Sequence, residues 1–187
     1  MPKPYFHDRP KLIRSIIKVD HAGEYGAVRI YKGQIDATKI CNSSRSNNSD
    51  TNKLLTHMLA EEERHLAFFA SKIIQRKATP TIFLPLWHAA GYALGFITSL
   101  CGAKTAMLCT QAVEEVIDEH YSSQIQDLKH LKEEMALADK IEEFRLEELK
   151  HKEIAISQGS LNSPLYHIFY NTIKAMCKLA IGLSKRI

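Results

Sequence analysis

The strongest constraint on how this chain can fold is a glutamate and a histidine set into an apolar stripe, an arrangement that occurs twice. Around "AEEERHLAFF", residues 60–69, the apolar positions Leu55, Met58, Leu59, Leu66, Phe69 and Ile73 recur at three and four residues, the spacing of the buried face of an amphipathic helix. Glu62 and His65 fill the gap in that stripe, while Glu61, Glu63 and Arg64 point elsewhere, as a solvated face does. The second copy lies in "IEEFRLEELKHKE", where Ile141, Phe144, Glu148, His151 and Ala155 share one face. A carboxylate on a core face is costly unless something neutralises it.

Each Glu-x-x-His pair is preceded by a helix with its own stripe glutamate. Ile13, Ile17, Asp20, Glu24, Ala27, Tyr31 and Ile35 predict a first helix from about Pro10 to Cys41. In "CTQAVEEVIDEHY" two glutamates compete. Met107, Thr110, Glu114, Ile117 and Tyr121 share a face, whereas Glu115 falls with Ala112, Glu119 and Ser122, so periodicity selects Glu114. The remaining chain reads as a polar loop at 42–52, an apolar run at 82–100 followed by a helix to about Lys129, a charged helix from Lys132 to Gln158, a break at "QGS" and Pro164, and a final helix over 165–185. With 8 Gly, 6 Pro and few strand-like alternations, the expectation is an all-α bundle.

Residues three apart on a helix lie on one side, so a glutamate and a histidine at that spacing can reach the same metal. Glu24, Glu62 with His65, Glu114, and Glu148 with His151 reproduce the ligand set of di-iron and di-manganese carboxylate bundles. Four carboxylates in an apolar interior repel one another, and two divalent cations cancel their charge. Carboxylate oxygen with imidazole nitrogen suits Fe, Mn or Co, whereas structural zinc usually draws on cysteine, so iron is the first choice. One Glu-x-x-His among 9 histidines would mean little; two copies, each behind a lone stripe glutamate, carry the assignment. His7, His57, His88, His130 and His167 have no such partners and read as surface or satisfied core residues. Cys41, Cys101, Cys109 and Cys177 form no CxxC pair and read as free thiols. A net charge of +4 without interleaved basic and aromatic residues argues against nucleic acid as a partner. "MPKPYFHDRPKL" lacks the apolar core of a signal peptide.

"DHAGEYGAVRIYKGQ", "EEERHL", "TIFLPLWHAAGYALG", "AVEEVIDEHYSSQI" and "EELKHKEIA" together resemble the demethoxyubiquinone hydroxylase family of ubiquinone biosynthesis, from about Arg14 to the C-terminus. The resemblance implies a single ferritin-like four-helix bundle over residues 1–187 with additional membrane-interacting helices, two iron ions per chain, and a monooxygenase that uses dioxygen to hydroxylate the ring of a polyprenylated methoxy-methyl-benzoquinol. It carries the family's iron ligands onto Glu24, Glu62, His65, Glu114, Glu148 and His151, with Glu62 and Glu148 bridging and Glu24 and Glu114 terminal. It also places His120 and Tyr121 near the substrate. Tyr121, seven residues after Glu114, faces the metals; His120 is about a third of a turn away. No GxGxxG motif occurs in the chain, so NADH would act without a Rossmann domain, through the quinone or a reductase protein; other quinone-biosynthesis proteins are candidate partners. The Asn/Ser-rich loop at 42–52 departs in character from the family but holds no ligand.

The run "IFLPLWHAAGYALGFITSL", residues 82–100, is long enough to score as a transmembrane segment. A single crossing there would put Glu24, Glu62 and His65 on one side of the bilayer and Glu114, Glu148 and His151 on the other. An interfacial or re-entrant segment that seats the protein on the lipid surface fits better. The final helix is expected to add Leu165, Ile168, Phe169, Ile173, Met176 and Leu183 on one side, with Lys174, Lys178, Lys185 and Arg186 available to anionic lipid; the alternative is that both greasy faces complete the core or a protein interface. The expected location is peripheral, on the cytoplasmic face of a bacterial inner membrane or the matrix side of the mitochondrial inner membrane. The rival readings are a ferroxidase, an iron-storage protein, a rubrerythrin-type peroxidase or another hydroxylase on the same bundle, and a metal-free membrane-associated scaffold whose stripe glutamates pair with Arg29, Arg145 or lysines.

Overall fold

The computed structural model describes residues 8–41, 48–159 and 164–186. They form six helices, α1 (Arg9–Cys41), α2 (Asn48–Gln75), α3 (Leu84–Leu100), α4 (Ala103–Lys129), α5 (Met135–Gly159) and α6 (Pro164–Arg186), with one 3₁₀ turn at Lys132–Glu134 before α5. No strand occurs among the described residues. Helix α2 starts at Asn48, so residues 48–52, expected in the loop, are helical. Asp50 lies in that first turn, where the helix dipole favours an anion, and pairs with Lys53 at 3.5 Å. The rest of that polar cluster, the N-terminal seven residues and the far end of the "QGS" break lie outside the described residues. Of the four cysteines, Cys101, Cys109 and Cys177 are free; the Cys41 side chain is also outside them.

Cross-helix contacts set the topology. Lys32 pairs with Glu63 at 2.7 Å and Thr38 bonds Asn52 at 3.4 Å, so α1 and α2 run antiparallel. Asp118 holds Arg145 at 2.7 Å across α4 and α5, which the turn at 132–134 folds back on each other. Arg9 reaches Glu133 at 3.4 Å and Arg76 reaches Glu134 at 2.7 Å. The start of α1 and the end of α2 therefore lie at the α4–α5 turn, while α4 begins at the opposite end. Helix α3, about 26 Å long, carries the chain back between them.

That return path gives the apolar run 82–100 a structural role. A Cβ on Gly95 would stand 1.9 Å from the Ile30 carbonyl oxygen, and one on Gly33 would stand 2.3 Å from that of Tyr92. Glycines on both helices thus let α3 and α1 touch backbone to backbone. Ile82, Leu86, Ile97 and Leu100 remain exposed. No helix among the described residues is long and apolar enough to cross a membrane.

Helix α6 departs from the sequence expectation. Its apolar residues do not share one environment, because the helix lies on α4 and α1. Ile173 is buried and Phe169 and Tyr170 pack inward with Cys177, whereas Leu165, Ile168, Met176 and Leu179 face out. Lys174 and Lys178, assigned to lipid, pair with Glu115 and Glu119 on α4. Lys185 and Arg186 are left exposed at the helix end.

Three clusters make the core. Ile13, Ile17, Phe69, Ile125, Leu128, Ile141 and Phe144 fill the end near the α4–α5 turn. Tyr31, Ile35, Leu55, Met58, Met107 and Ala155 fill the other. Ile30, Cys109, Ala112, Val113 and Ile173 seal α1 and α4 against the outer helices. The stripe glutamates fall between the first two.

Candidate metal centre

Glu24, Glu62, His65, Glu114, Glu148 and His151 are all buried, none more than 2% exposed. They come together in two overlapping groups, Glu24, Glu62, His65, Glu148 and Glu62, Glu114, Glu148, His151, each offering ligand atoms within 4.8 Å of one another. Glu62 and Glu148 belong to both. The bundle supplies this by periodicity: each helix presents its stripe to the common axis, and each stripe reaches mid-height at its glutamate.

Lysine and arginine do not neutralise these carboxylates. Among the described residues their only ion-pair partners are His65 and His151, which removes the pairing that a metal-free scaffold would need. Arg145 goes to Glu142 and Asp118, and Arg29 lies over the Tyr92 ring. One oxygen each of Glu24, Glu114 and Glu148, both oxygens of Glu62, and His65 Nδ1 are buried without a hydrogen bond. His65 Nδ1 stands 2.9 Å from Glu148 Oε1 yet off the direction of a bond. Unsatisfied donors and acceptors crowded this closely, at about 1–3 kcal/mol each or more, point to a shared cationic occupant. Oxygen and imidazole donors without sulfur fit a hard or borderline divalent metal.

The electrostatics of the metal-free arrangement agree. Burial, compounded by the Glu148 charge, drives Glu62 and Glu114 well above the usual carboxylate range, and burial raises Glu24. Against burial, which opposes its ionisation, Glu148 is held down to about 2 by His151 and His65. Burial also opposes charging of the imidazoles, but their carboxylate neighbours lift His65 to about 11 and His151 to about 12. Two imidazolium charges thus stand in for part of the charge that a metal pair would supply.

The next ring of residues is built by exchange between the two halves. His65 Nε2 donates to Glu147 on α5 at 2.6 Å, and His151 Nε2 donates to Glu61 on α2 at 2.8 Å. Glu61, read from sequence as solvent-facing, therefore turns inward at 26% exposure, and Glu147, at 16%, does the same. With Nε2 donating, each ring would offer its Nδ1 lone pair to a metal once that nitrogen's proton is displaced. Tyr31 on α1 donates to Glu114 on α4 at 2.8 Å, and Tyr121 on α4 donates to Glu24 on α1. Sequence periodicity faced Tyr121 inward, and the structure puts its hydroxyl against Glu24. His120 lies outside the cluster, part-buried, with its Nε2 2.8 Å from Gln124 Nε2 and 3.5 Å from Asp20 Oδ1. Glu115 points away from the centre, toward Lys174 and Tyr170. His57 pairs with Glu61 and His88 with Tyr25.

An apolar groove between α1, α3, α4 and α6, with about 140 Å³ of cavity, runs beside this centre. Gly23, Val113, Val116, Ile117, Trp87 and Cys177 are among its walls. Gly23 and Val113 adjoin Glu24 and Glu114 along the chain.

Residues 11–184 match the family model described as ubiquinone biosynthesis protein COQ7. The chain is 46% identical over 176 residues to the 3-demethoxyubiquinol 3-hydroxylase of Rhodospirillum rubrum, covering 94% of this chain and 79% of that protein. It is 38% identical over 174 residues to the mitochondrial NADPH-dependent 3-demethoxyubiquinone 3-hydroxylase of Homo sapiens, covering 92% and 76%. With the mitochondrial 5-demethoxyubiquinone hydroxylase of Saccharomyces cerevisiae it shares 33% over 185 residues, covering 92% and 77%.

Proposed function

This chain belongs to the COQ7 family of ubiquinone biosynthesis proteins, and on that premise we propose that it is a di-iron monooxygenase that hydroxylates the ring of a polyprenylated methoxy-methyl-benzoquinol with dioxygen. The carrying observation is the pair of overlapping buried clusters, in which Glu62 and Glu148 are common to both groups. Glu24, Glu62, His65, Glu114, Glu148 and His151 would hold two iron ions, with Glu62 and Glu148 shared and the other two glutamates terminal. Iron held there supplies the reductive activation of dioxygen.

The chain's own residues do the rest. Tyr31 and Tyr121 fix one oxygen of each terminal carboxylate, leaving the other for a metal. Glu147, anchored by Arg64 at 2.8 Å, and Glu61 hold the imidazoles in one tautomer. The two end clusters keep bulk water from the centre. The groove offers a ring or a short stretch of prenyl chain an apolar bed, at a volume near the ~150 Å³ cavities that admit benzene. Ferroxidases and iron-storage proteins have no need of such a groove.

The exposed Ile82, Leu86, Ile97, Leu100, Leu165 and Ile168 suit peripheral attachment to the membrane that holds the substrate, with Lys185 and Arg186 near anionic headgroups. The location would be the cytoplasmic face of a bacterial inner membrane; eukaryotic relatives carry the label mitochondrial. NAD(P)H, directly or through a reductase protein, is the proposed electron source, in keeping with relatives described as NADPH-dependent. The test is anaerobic loading with ferrous iron, then isotopically labelled dioxygen and a demethoxyquinol. One labelled oxygen atom in the product ring is expected; unlabelled or unchanged quinol would overturn the reading.

A further inference from the structure

Helix α1 carries two glycines that its packing does not require. Glycine inside a helix is destabilising relative to alanine, and at three positions a close backbone approach accounts for it. A Cβ on Gly33, Gly91 or Gly95 would stand 2.3, 2.9 or 1.9 Å from a main-chain oxygen of the neighbouring helix. Gly23 and Gly26 differ. Both lie in the helical interior of α1, and a Cβ on either would meet no neighbouring atom within 4 Å. The tight spot beside Gly26 belongs to the other helix, since it is a Cβ on Gly91 that would strike the Gly26 carbonyl oxygen. Alanine would fit both positions and favour the helix, so the two glycines keep space clear rather than backbone in contact.

That space is the apolar groove. Gly23 and Gly26 line it from α1, and the branched Val113 and Val116 line it from α4. The two walls are therefore unequal: α4 presents methyl groups, whereas α1 presents about one turn of bare peptide backbone. Val19 and Ile30, further along α1, restore bulk at either side of that turn, so the clearance is local. It lies at the height of the metal centre, because Gly23 and Gly26 flank Glu24, which is buried within the bundle. A methyl group at either position would project into a cavity of only about 140 Å³. A planar ring lying there rests on peptide groups, and its substituents need the depth that a Cβ would take away.

We infer that Gly23 and Gly26 are specificity-determining residues, whose missing side chains leave the clearance that the methoxy and methyl substituents of the quinol ring occupy in the groove. This rests on the quinol reading above. The chain's one tryptophan, Trp87, also lines the groove, so quenching by a bound quinone reports occupancy without turnover. Two probes are titrated into the metal-loaded protein with no reductant present: a methoxy-methyl-benzoquinone bearing one isoprene unit, and the same prenylated ring with hydrogen in place of its methoxy and methyl groups. Gly23→Ala and Gly26→Ala are expected to melt about 2–4 °C higher, yet to bind the substituted ring about tenfold more weakly. The bare ring should bind them as it binds the unaltered protein. Gly182→Ala on α6, equally open but outside the groove, gains the same stability and keeps its affinity for both rings. A lower melting temperature in the groove variants, unchanged affinity for the substituted ring, or equal loss for both rings overturns the assignment while leaving the quinol reading intact. Absence of quenching of the unaltered protein by either probe overturns both.

Discussion

The α1–α2 half and the α4–α5 half of the bundle carry the same devices, yet neither half completes its own. Tyr31 serves the other half's Glu114, and Tyr121 serves Glu24; Glu147 orients His65, and Glu61 orients His151. The exchange means that a half-bundle would expose buried carboxylates and imidazoles without their partners, so folding and site assembly are one event. The halves are not equal electrostatically, however. Glu148 has two imidazoles within ion-pair distance, His65 at 2.9 Å and His151 at 3.1 Å, whereas among the described residues Glu62 pairs with His151 alone, at 3.3 Å. Burial acts on both carboxylates, but only Glu148 is held down to about 2 while Glu62 is driven up.

Replacing these two shared glutamates separates charge from coordination, and gives the largest expected effects. Both Glu148→Gln and Glu62→Gln should lose metal and ring hydroxylation almost entirely, on the order of a thousandfold or more, comparable with disabling a residue that acts as part of a unit. Metal-stripped protein should tell them apart. Glu148→Gln leaves two imidazolium charges without their partner and is expected to cost about 3 kcal/mol in denaturant unfolding; Glu62→Gln removes a carboxylate that resists ionisation, and should be close to neutral. Equal losses in the stripped protein would refute the asymmetry.

The outer carboxylates come next. Glu147→Gln and Glu61→Gln each remove an acceptor from a histidine while leaving the stripe intact. Each should lower metal affinity about 10- to 100-fold, read by competition with a chelator. Because Arg64 anchors Glu147 at 2.8 Å but approaches Glu61 only to 3.9 Å, the Glu147 change should cost more.

The half-to-half charge balance also sets the response to pH. His65 and His151 titrate far above an unfolded histidine, so their contribution to stability is present below about pH 6.5 and is lost as pH climbs toward 11 and 12. The raised Glu62 and Glu114 act in the same direction, since the folded chain holds protons there that the unfolded chain releases. Metal displaces those protons. Metal-stripped protein should therefore melt at a lower temperature at about pH 9 than at about pH 6.5, and the gain on loading should be larger at the higher pH. A flat stripped-protein profile would mean that the imidazoles are not charged.

Much of this centre was legible in the sequence because a charged residue on an apolar face is conspicuous. The inward aim of each of the six side chains, the choice of Glu114 over Glu115 and the inward aim of Tyr121 follow from helical period, whereas their meeting in two overlapping groups is seen only in the packed bundle. Glu61 and Glu147 were not visible in the same way. Each sits one position off the stripe, and its partner belongs to another helix, which is tertiary information. The available signal was that both stripe glutamates follow a second glutamate. Asp20 was on the inward face of the first helix without a role, since Gln124 and His120 reach it only when α1 and α4 pack. That α4 takes up Lys174 and Lys178 of α6 was hidden for a related reason: periodicity shows that a face is apolar, not which neighbour covers it.

The weakest expected effect tests that same boundary between inward and outward faces. Glu115, next to Glu114 in sequence, binds Lys174 and accepts from Tyr170 at 2.5 Å. Partly buried and opposed in ionising by that burial, it is nonetheless held below the usual range by Lys174 and Tyr170. The pair is about a third exposed on the glutamate side, where solvent screening limits an ion pair to about 1 kcal/mol. Lys174 also keeps Glu119 at 3.2 Å as a second partner. Glu115→Gln should thus lower thermal stability by a few degrees at most, loosening α6 against α4 while metal content stays at the unaltered level. A loss of metal matching that of Glu148→Gln would place Glu115 among the inward-facing glutamates and undo the periodicity argument on which Glu114 was chosen.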